Sequence, residues 1–205
     1  MSEIFARAAQ RLTLSLPGDV FLRPHAMTPG DSMAADEHAA LEARPAAVLV
    51  GLVDHPGAPT LLLTRRAGHL RDHSGQVAFP GGKIDASDAS PLATAMREAD
   101  EEIGLAPHHI KPIGWLDAWQ TGTGFRILPL VARLKPPLSL QPNSSEVARV
   151  FEVPLSIAFD TSRFQRQTRI FKGRERSFDA LIWDGELIWG ATAGIIRHMA
   201  TRLEA

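Results

Sequence analysis

The stretch that most restricts the fold is SPLATAMREADEEIG, residues 90–104. Ser90 is a good helix N-cap, and Pro91 suits the first helical position, where its missing N–H costs nothing. Leu92, Ala95, Met96, Ala99 and Ile103 then recur on one face, and Gly104 stops the run. A helix with so defined a stripe must pack on another layer. Glu98, Glu101 and Glu102 fall within an arc of about 100° that flanks this stripe without opposing it. Three carboxylates on barely one turn repel one another by about 0.2–0.5 kcal/mol per close pair. The helix dipole near the C-terminus disfavours them further. The pattern has two readings. One is a solvated acidic face; the other is a site for a hard divalent cation whose charge offsets the repulsion. In the second, Glu98 and Glu102, at i and i+4, ligate one ion together, and all-oxygen ligation suits Mg²⁺ or Mn²⁺ better than zinc.

Around this helix the chain alternates short apolar runs with turn signals. Residues 46–53 read as a buried strand and 60–65 as its partner, joined by the turn His55-Pro56-Gly57-Ala58-Pro59. A short piece, VAF, precedes Pro80-Gly81-Gly82. Strands are expected at 113–119, 127–134, 147–153, 163–171 and 178–189, and a closing helix at 191–203. Strands around a few helices without regular βαβ alternation predict an α+β fold with a mixed sheet. Residues 1–45 read as an N-terminal arm that packs on the core or mediates dimer contacts. Residues 2–16 are expected to form an amphipathic helix, with a weaker one in MAADEHAALEAR. Residues 46–205 form the main domain.

Composition removes several function classes. With no cysteine, disulfide scaffolds, Cys-ligated zinc, iron–sulfur clusters and a cysteine nucleophile are excluded. A formal net charge of −1 lacks the global basicity of a nucleic-acid binder. No apolar run approaches the roughly 20 residues of a membrane-spanning helix. The mixed charges of MSEIFARAAQRLTLSL do not follow the order of a secretion signal. A cytoplasmic protein acting on a small molecule is the expectation, with a homodimer as an option.

Upstream of the helix, Gly81-Gly82 permits close approach of backbone to a ligand, and a carbonyl in such a turn can join carboxylates around a metal. Gly82, Asp88 and the run Arg97-Glu98-Ala99-Asp100-Glu101-Glu102-Ile103-Gly104-Leu105 resemble the Nudix box. Every specified position of that run agrees. In the front half Asp88 stands for the usual glutamate, and eight residues separate it from Arg97 where the box has seven. The preceding LLTRRAGHLRDHSGQVAFPGG, residues 62–82, is similar to the signature of one branch sharing those departures, the coenzyme A diphosphatases. Ala67 replaces the usual serine.

The resemblance implies a Nudix α/β/α sandwich and metal-dependent hydrolysis of the coenzyme A diphosphate. The products would be 3′,5′-ADP and 4′-phosphopantetheine, and acyl-coenzyme A species are plausible substrates too. It implies that Glu98 and Glu102 are the primary ligands of Mg²⁺ or Mn²⁺, with Glu101 assisting and the Gly82 carbonyl nearby. Arg97 would orient one of these glutamates. The general base is left open between Glu102 and Glu146, the latter in QPNSSEV. Arg65, Arg66, His69, Arg71 and His73 place five potentially cationic groups within nine residues. The resemblance singles out Arg66 and Arg71 as substrate contacts, with His73 and Gln76 of the same signature as further candidates. Trp115, Trp119, Trp183 and Trp189 are candidates for stacking on adenine, and nothing selects one. Two rivals stand beside this reading: a Nudix hydrolase of another nucleoside diphosphate derivative such as ADP-ribose or a nucleotide sugar, and a non-catalytic nucleotide-sensing module.

Overall fold

A computed structural model describes residues 3–16, 43–121, 123–171 and 174–204. Eleven strands and four α-helices follow in order among these residues. They are α1 (Glu3–Arg11), β1 (Arg44–Val53), β2 (Thr60–Arg66), β3 (Val77–Ala78), β4 (Gly81–Lys83) and α2 (Pro91–Ile103). Next come β5 (Ile110–Trp115), β6 (Trp119–Gln120), β7 (Phe125–Leu134), β8 (Val147–Pro154) and α3 (Leu155–Ala158). The chain closes with β9 (Gln165–Phe171), β10 (Arg174–Trp183), β11 (Glu186–Trp189) and α4 (Gly190–Glu204).

The near-continuous apolar run of β1 is what a strand covered on both faces requires. Ala47, Leu49 and Val53 enter one core, Val50 and Leu52 the other. Along one edge β1 pairs in parallel with β7, from Arg44↔Phe125 to Val53↔Leu134. The other edge is shared. β2 meets it only at Leu52↔Leu61 and Val53↔Thr60, and β4 takes Ala46–Val48. The expected pairing of 46–53 with 60–65 therefore holds at one tip alone. The long partner of β2 is β8, antiparallel from Thr60↔Pro154 to Arg66↔Val147. With β3 on β2 and with β5 and β6 on β7, all antiparallel, the sheet is mixed.

Helix α2 covers one face, packing Ala95, Ala99 and Ile103 on Ala47, Leu49, Leu128 and Leu130. The opposite face carries α1, through Phe5 and Ala8, and α4, through Ile195, Ile196, Met199 and Leu203. This is the α/β/α layering of the expected Nudix fold. Arg7 and Arg11 of α1 donate to the Leu203 and Arg202 carbonyls, occupying acceptors that the end of α4 leaves open. The amphipathic N-terminal helix is thus shorter than 2–16, and residues beyond it run beside β5, where the Trp115 backbone N–H donates to the Thr13 carbonyl at 2.9 Å. The weak helix expected in MAADEHAALEAR falls almost wholly outside the described residues. The stretch 178–189 splits into a hairpin, β10–β11, because Asp184 and Gly185 both adopt positive φ (48° and 74°). These strands, with β9, form a second, three-stranded sheet. No helix among the described residues is long and apolar enough to cross a membrane.

The seat of α4 depends on Gly194, where a Cβ would lie 2.5 Å from Trp119 Cη2. Gly194→Ala is expected to destabilise the fold by about 1–3 kcal/mol through overpacking, read as a lower thermal midpoint. An unchanged midpoint would show that the indole yields freely.

Candidate functional site

The termini of α2 are fixed as its sequence requires. Ser90 Oγ accepts from the Ala93 N–H at 3.2 Å. Gly104 takes the left-handed conformation (φ 65°), and the Gly104 and Leu105 amides return to the Asp100 and Ala99 carbonyls. This sets the rotation of the helix, and with it the direction of the acids. They do not behave alike. Glu101 is 58% exposed at its side chain, as a solvated acidic face predicts. Glu102 is only 4% exposed and Glu98 is largely covered, so for these two the solvated reading is overturned.

What covers them is the Gly81-Gly82 turn. A Cβ on Gly81 would lie 2.5 Å from the Ala47 carbonyl oxygen, so only glycine lets β4 dock there. A Cβ on Gly82 would lie 2.6 Å from Glu98 Cδ, so the Glu98 carboxylate occupies the space that a side chain would take. The Gly81 N–H donates to Glu102 Oε2 at 3.3 Å. Burial pushes Glu102 up to about 8, helped by the neighbouring charges of Glu98 and Glu146 and resisted by the Gly81 N–H and Arg66. Burial raises Glu98 as well, against the pull of Arg97. One buried and one largely covered carboxylate beside a glycine turn give a hard, all-oxygen donor set short of positive charge, which fits a divalent cation. Among the described residues no group of three acids or histidines is already gathered to hold one. The third box glutamate is held elsewhere.

Arg97 does that holding. Its Nη1 donates to Glu98 Oε1 at 3.0 Å and to Glu101 Oε2 at 2.8 Å. Its Nε and Nη2 donate to Asp88, each at 2.9 Å. Asp88, the residue that departs from the box pattern, also accepts from the Asp85 N–H at 3.0 Å and the Thr94 hydroxyl at 2.9 Å. The Arg97 fork and these further donors hold the Asp88 carboxyl well below the usual carboxylate range. Asp88 thus anchors the arginine that orients two box glutamates, a role its position in the sequence does not announce.

The basic stretch is divided by the strand. In β2, Leu61 and Leu63 join the core under α4, whereas Leu62 joins the core under α2. Arg65 follows the first set and donates to buried Glu186 at 3.1 Å, an acceptor it shares with Arg149 at 2.9 Å. Arg66 follows the second, and its Nη1 stands 3.8 Å from Glu102 Oε1. Its Nε is buried with no partner among the described residues. His69 turns away to donate to the Ser145 carbonyl at 3.1 Å. His73, in positive φ (57°), donates from Nδ1 to Gln76 Oε1 at 2.9 Å, so these two shape the loop together. Arg71 is exposed on that loop. Glu146 is half-buried, and its charge adds a smaller upward push on both members of the carboxylate pair. The tryptophans are engaged in structure: Trp115 Nε1 donates to the Leu14 carbonyl and Trp183 Nε1 to the Glu152 carbonyl. Trp119 is buried against α4, and Trp189 packs on Phe178.

Comparisons with known proteins bear on the family and the fold. A family model described as the NUDIX domain matches residues 42–170. Over 165 residues the chain is 43% identical to "Uncharacterized Nudix hydrolase NudL" of Enterobacter sp. (strain 638), covering 80% of this chain and 84% of the relative. It is 40% identical over 166 residues to the protein of the same name from Salmonella newport (strain SL254), covering 81% and 86%. A solved MutT/nudix family protein from Enterococcus faecalis aligns over 100% of this chain and 75% of its own, with a TM-score of 0.50 and 16% identity, a likeness of fold.

Asp88 and Glu102 carry opposite pH signatures. The folded Asp88 carboxyl is depressed, so its stabilisation is present above the ordinary carboxylate value of about 4 and is lost as pH falls below it. Asp88→Asn should lower the thermal midpoint at pH 7, with the gap to wild type closing below about pH 4. Glu102 is raised to about 8, so its ionisation costs stability increasingly as pH climbs from the ordinary value to there. In chelator, Glu102→Gln should raise the midpoint at pH 8 more than at pH 5. Thermal melts across pH check both signs.

Proposed function

The chain belongs to the Nudix hydrolase family and hydrolyses the phosphoric anhydride of a nucleoside diphosphate derivative, and from that premise we propose that its substrate is coenzyme A, with acyl-coenzyme A species accepted. The carrying observation is the meeting of two motifs. Arg66, from the stretch that resembles the coenzyme A diphosphatase signature, stands 3.8 Å from Glu102 of the Nudix box. Its side chain is 28% exposed and 3.8 Å is too long for a hydrogen bond, which leaves guanidinium donors for a phosphate oxygen. Coenzyme A carries a 3′-phosphate in addition to its diphosphate. An arginine-bearing loop beside the carboxylate site suits that surplus of negative charge, and exposed Arg71 is the second candidate contact.

In the proposed reaction water attacks one phosphorus of the diphosphate, the anhydride P–O bond breaks, and 3′,5′-ADP and 4′-phosphopantetheine leave. Glu98 and Glu102, with the Gly82 carbonyl, would hold Mg²⁺ or Mn²⁺, and Glu101 would assist once released by Arg97. The ion supplies charge neutralisation at the phosphoryl oxygens and a lowered pKa of bound water. Arg97 keeps Glu98 oriented through the 3.0 Å bond, braced by Asp88. Glu146 takes the proton of the attacking water. It is preferred to Glu102 as the base because one Glu102 oxygen already accepts from the Gly81 N–H and that side chain is committed to ion binding. Arg66 binds a phosphate and keeps counter-charge beside Glu102.

The test is a side-by-side turnover of coenzyme A, its 3′-dephospho form and ADP-ribose with Mg²⁺ or Mn²⁺. The highest kcat/KM is expected for coenzyme A, with 3′,5′-ADP identified as product. A preference for the 3′-dephospho form or for ADP-ribose would overturn the substrate assignment. Glu98→Gln should retain the fold and lose turnover by orders of magnitude, as loss of an ion ligand demands. Near-wild-type activity at saturating Mg²⁺ would refute the ligand assignment.

A further inference from the structure

The turn at residues 141–147 is hung on the end of α2. A helix leaves its last carbonyls without intrahelical donors. Here the Asp100 carbonyl is served by Gly104, and the Glu102 and Ile103 carbonyls are served by the turn. The Gln141 N–H donates to the Ile103 carbonyl at 2.8 Å, and the Asn143 N–H donates to the Glu102 carbonyl at 2.9 Å. The backbone of a buried box glutamate is therefore bonded directly to Asn143.

Asn143 also organises the rest of the turn. Its Oδ1 accepts from the Ser145 N–H at 3.2 Å and from the Ser145 hydroxyl at 2.6 Å. Its carbonyl accepts from the Glu146 and Val147 amides at 2.9 and 2.8 Å. Asparagine is suited to this, because its side chain can bond the backbone two residues on. From the other side, the loop after β2 grips the same turn. The Ala67 N–H donates to the Glu146 carbonyl at 2.8 Å, and His69 donates to the Ser145 carbonyl at 3.1 Å. Glu146 is thereby tied to α2 and to the arginine loop at once.

We propose that Asn143 and His69 are positioning residues for Glu146, setting its carboxylate toward Glu98 and Glu102 in register with the end of β2 that carries Arg66. His69 is then a latch and not one of the phosphate-binding cations. The inference rests on the reading of Glu146 as the base, so the experiment separates the two. It is a double-mutant cycle run on whichever diphosphate proves the best substrate, with kcat and KM measured for each variant.

Glu146→Ala should lower kcat by about 100-fold or more. Asn143→Ala should lower kcat by about tenfold or more while KM changes little, since a misplaced group acts on the transition state. In the double variant the Asn143 effect should vanish. Asn143→Asp, which keeps the Oδ1 acceptor, should recover most of kcat. A wild-type kcat in Glu146→Ala overturns the base assignment, and this inference with it. A large Glu146→Ala effect together with losses that multiply in the double variant, or with wild-type kcat in Asn143→Ala, overturns the positioning role alone. Should Asn143→Ala not fold, His69→Ala takes its place in the same cycle. A kcat loss absorbed by Glu146→Ala then supports the inference, and a multiplying loss, or none, overturns it.

Discussion

A carboxylate pressed against bare backbone is the condition on which the site depends. Glu98 fills the space that a side chain on Gly82 would occupy, and Glu102 lies one helical turn further on, beside the Gly81 amide. Taking charge out of water is costly unless partners replace the lost solvation. The partners present are few: one amide, one arginine at 3.8 Å, and one bond from Arg97. The ionised forms of these carboxyls are therefore left short of compensation, and burial raises both. A bound divalent cation would supply the missing counter-charge, as proposed above.

Two arginines keep this arrangement from flying apart, by different means. Arg97 is locked by Asp88 through two bonds of its fork, which leaves its remaining nitrogen to span Glu98 and Glu101. The substitution of Asp for Glu at position 88 thus reads as a compact anchor, itself steadied by Thr94 and the Asp85 amide. Arg66 works at longer range and stays incompletely bonded. A bidentate, fully paired arginine suits a structural role, and one with a spare donor suits a ligand.

Much of the site was legible because helix periodicity is local. The cap at Ser90, the stop at Gly104 and the spacing of Glu98 and Glu102 depend on residues within one short segment, and the structure retains them. Other features were not legible. Five basic residues in 65–73 look equivalent in sequence, yet the two-residue period of β2 sends Arg65 to Glu186 and Arg66 to Glu102. His69 reads as a cation and serves as a donor to a distant carbonyl. Asn143 carried a signal, since Asn-Ser-Ser is a turn pattern, but its attachment to Glu102 is a contact across about forty positions, 102 to 143.

The amino-acid order by itself determined which residues form the acidic helix and where it begins and ends, and it carried the resemblance to the Nudix box that implied the chemistry. Local sterics, capping and spacing decide the extent of the helix within a few residues. Only the tertiary structure decided that β1 pairs in parallel with β7 and lends its other edge to both β2 and β4, which brings Gly82 onto Glu98. It alone decided which glutamates are buried and which is left in solvent. Burial is a property of what packs against a side chain, and nothing within one turn of helix can specify it.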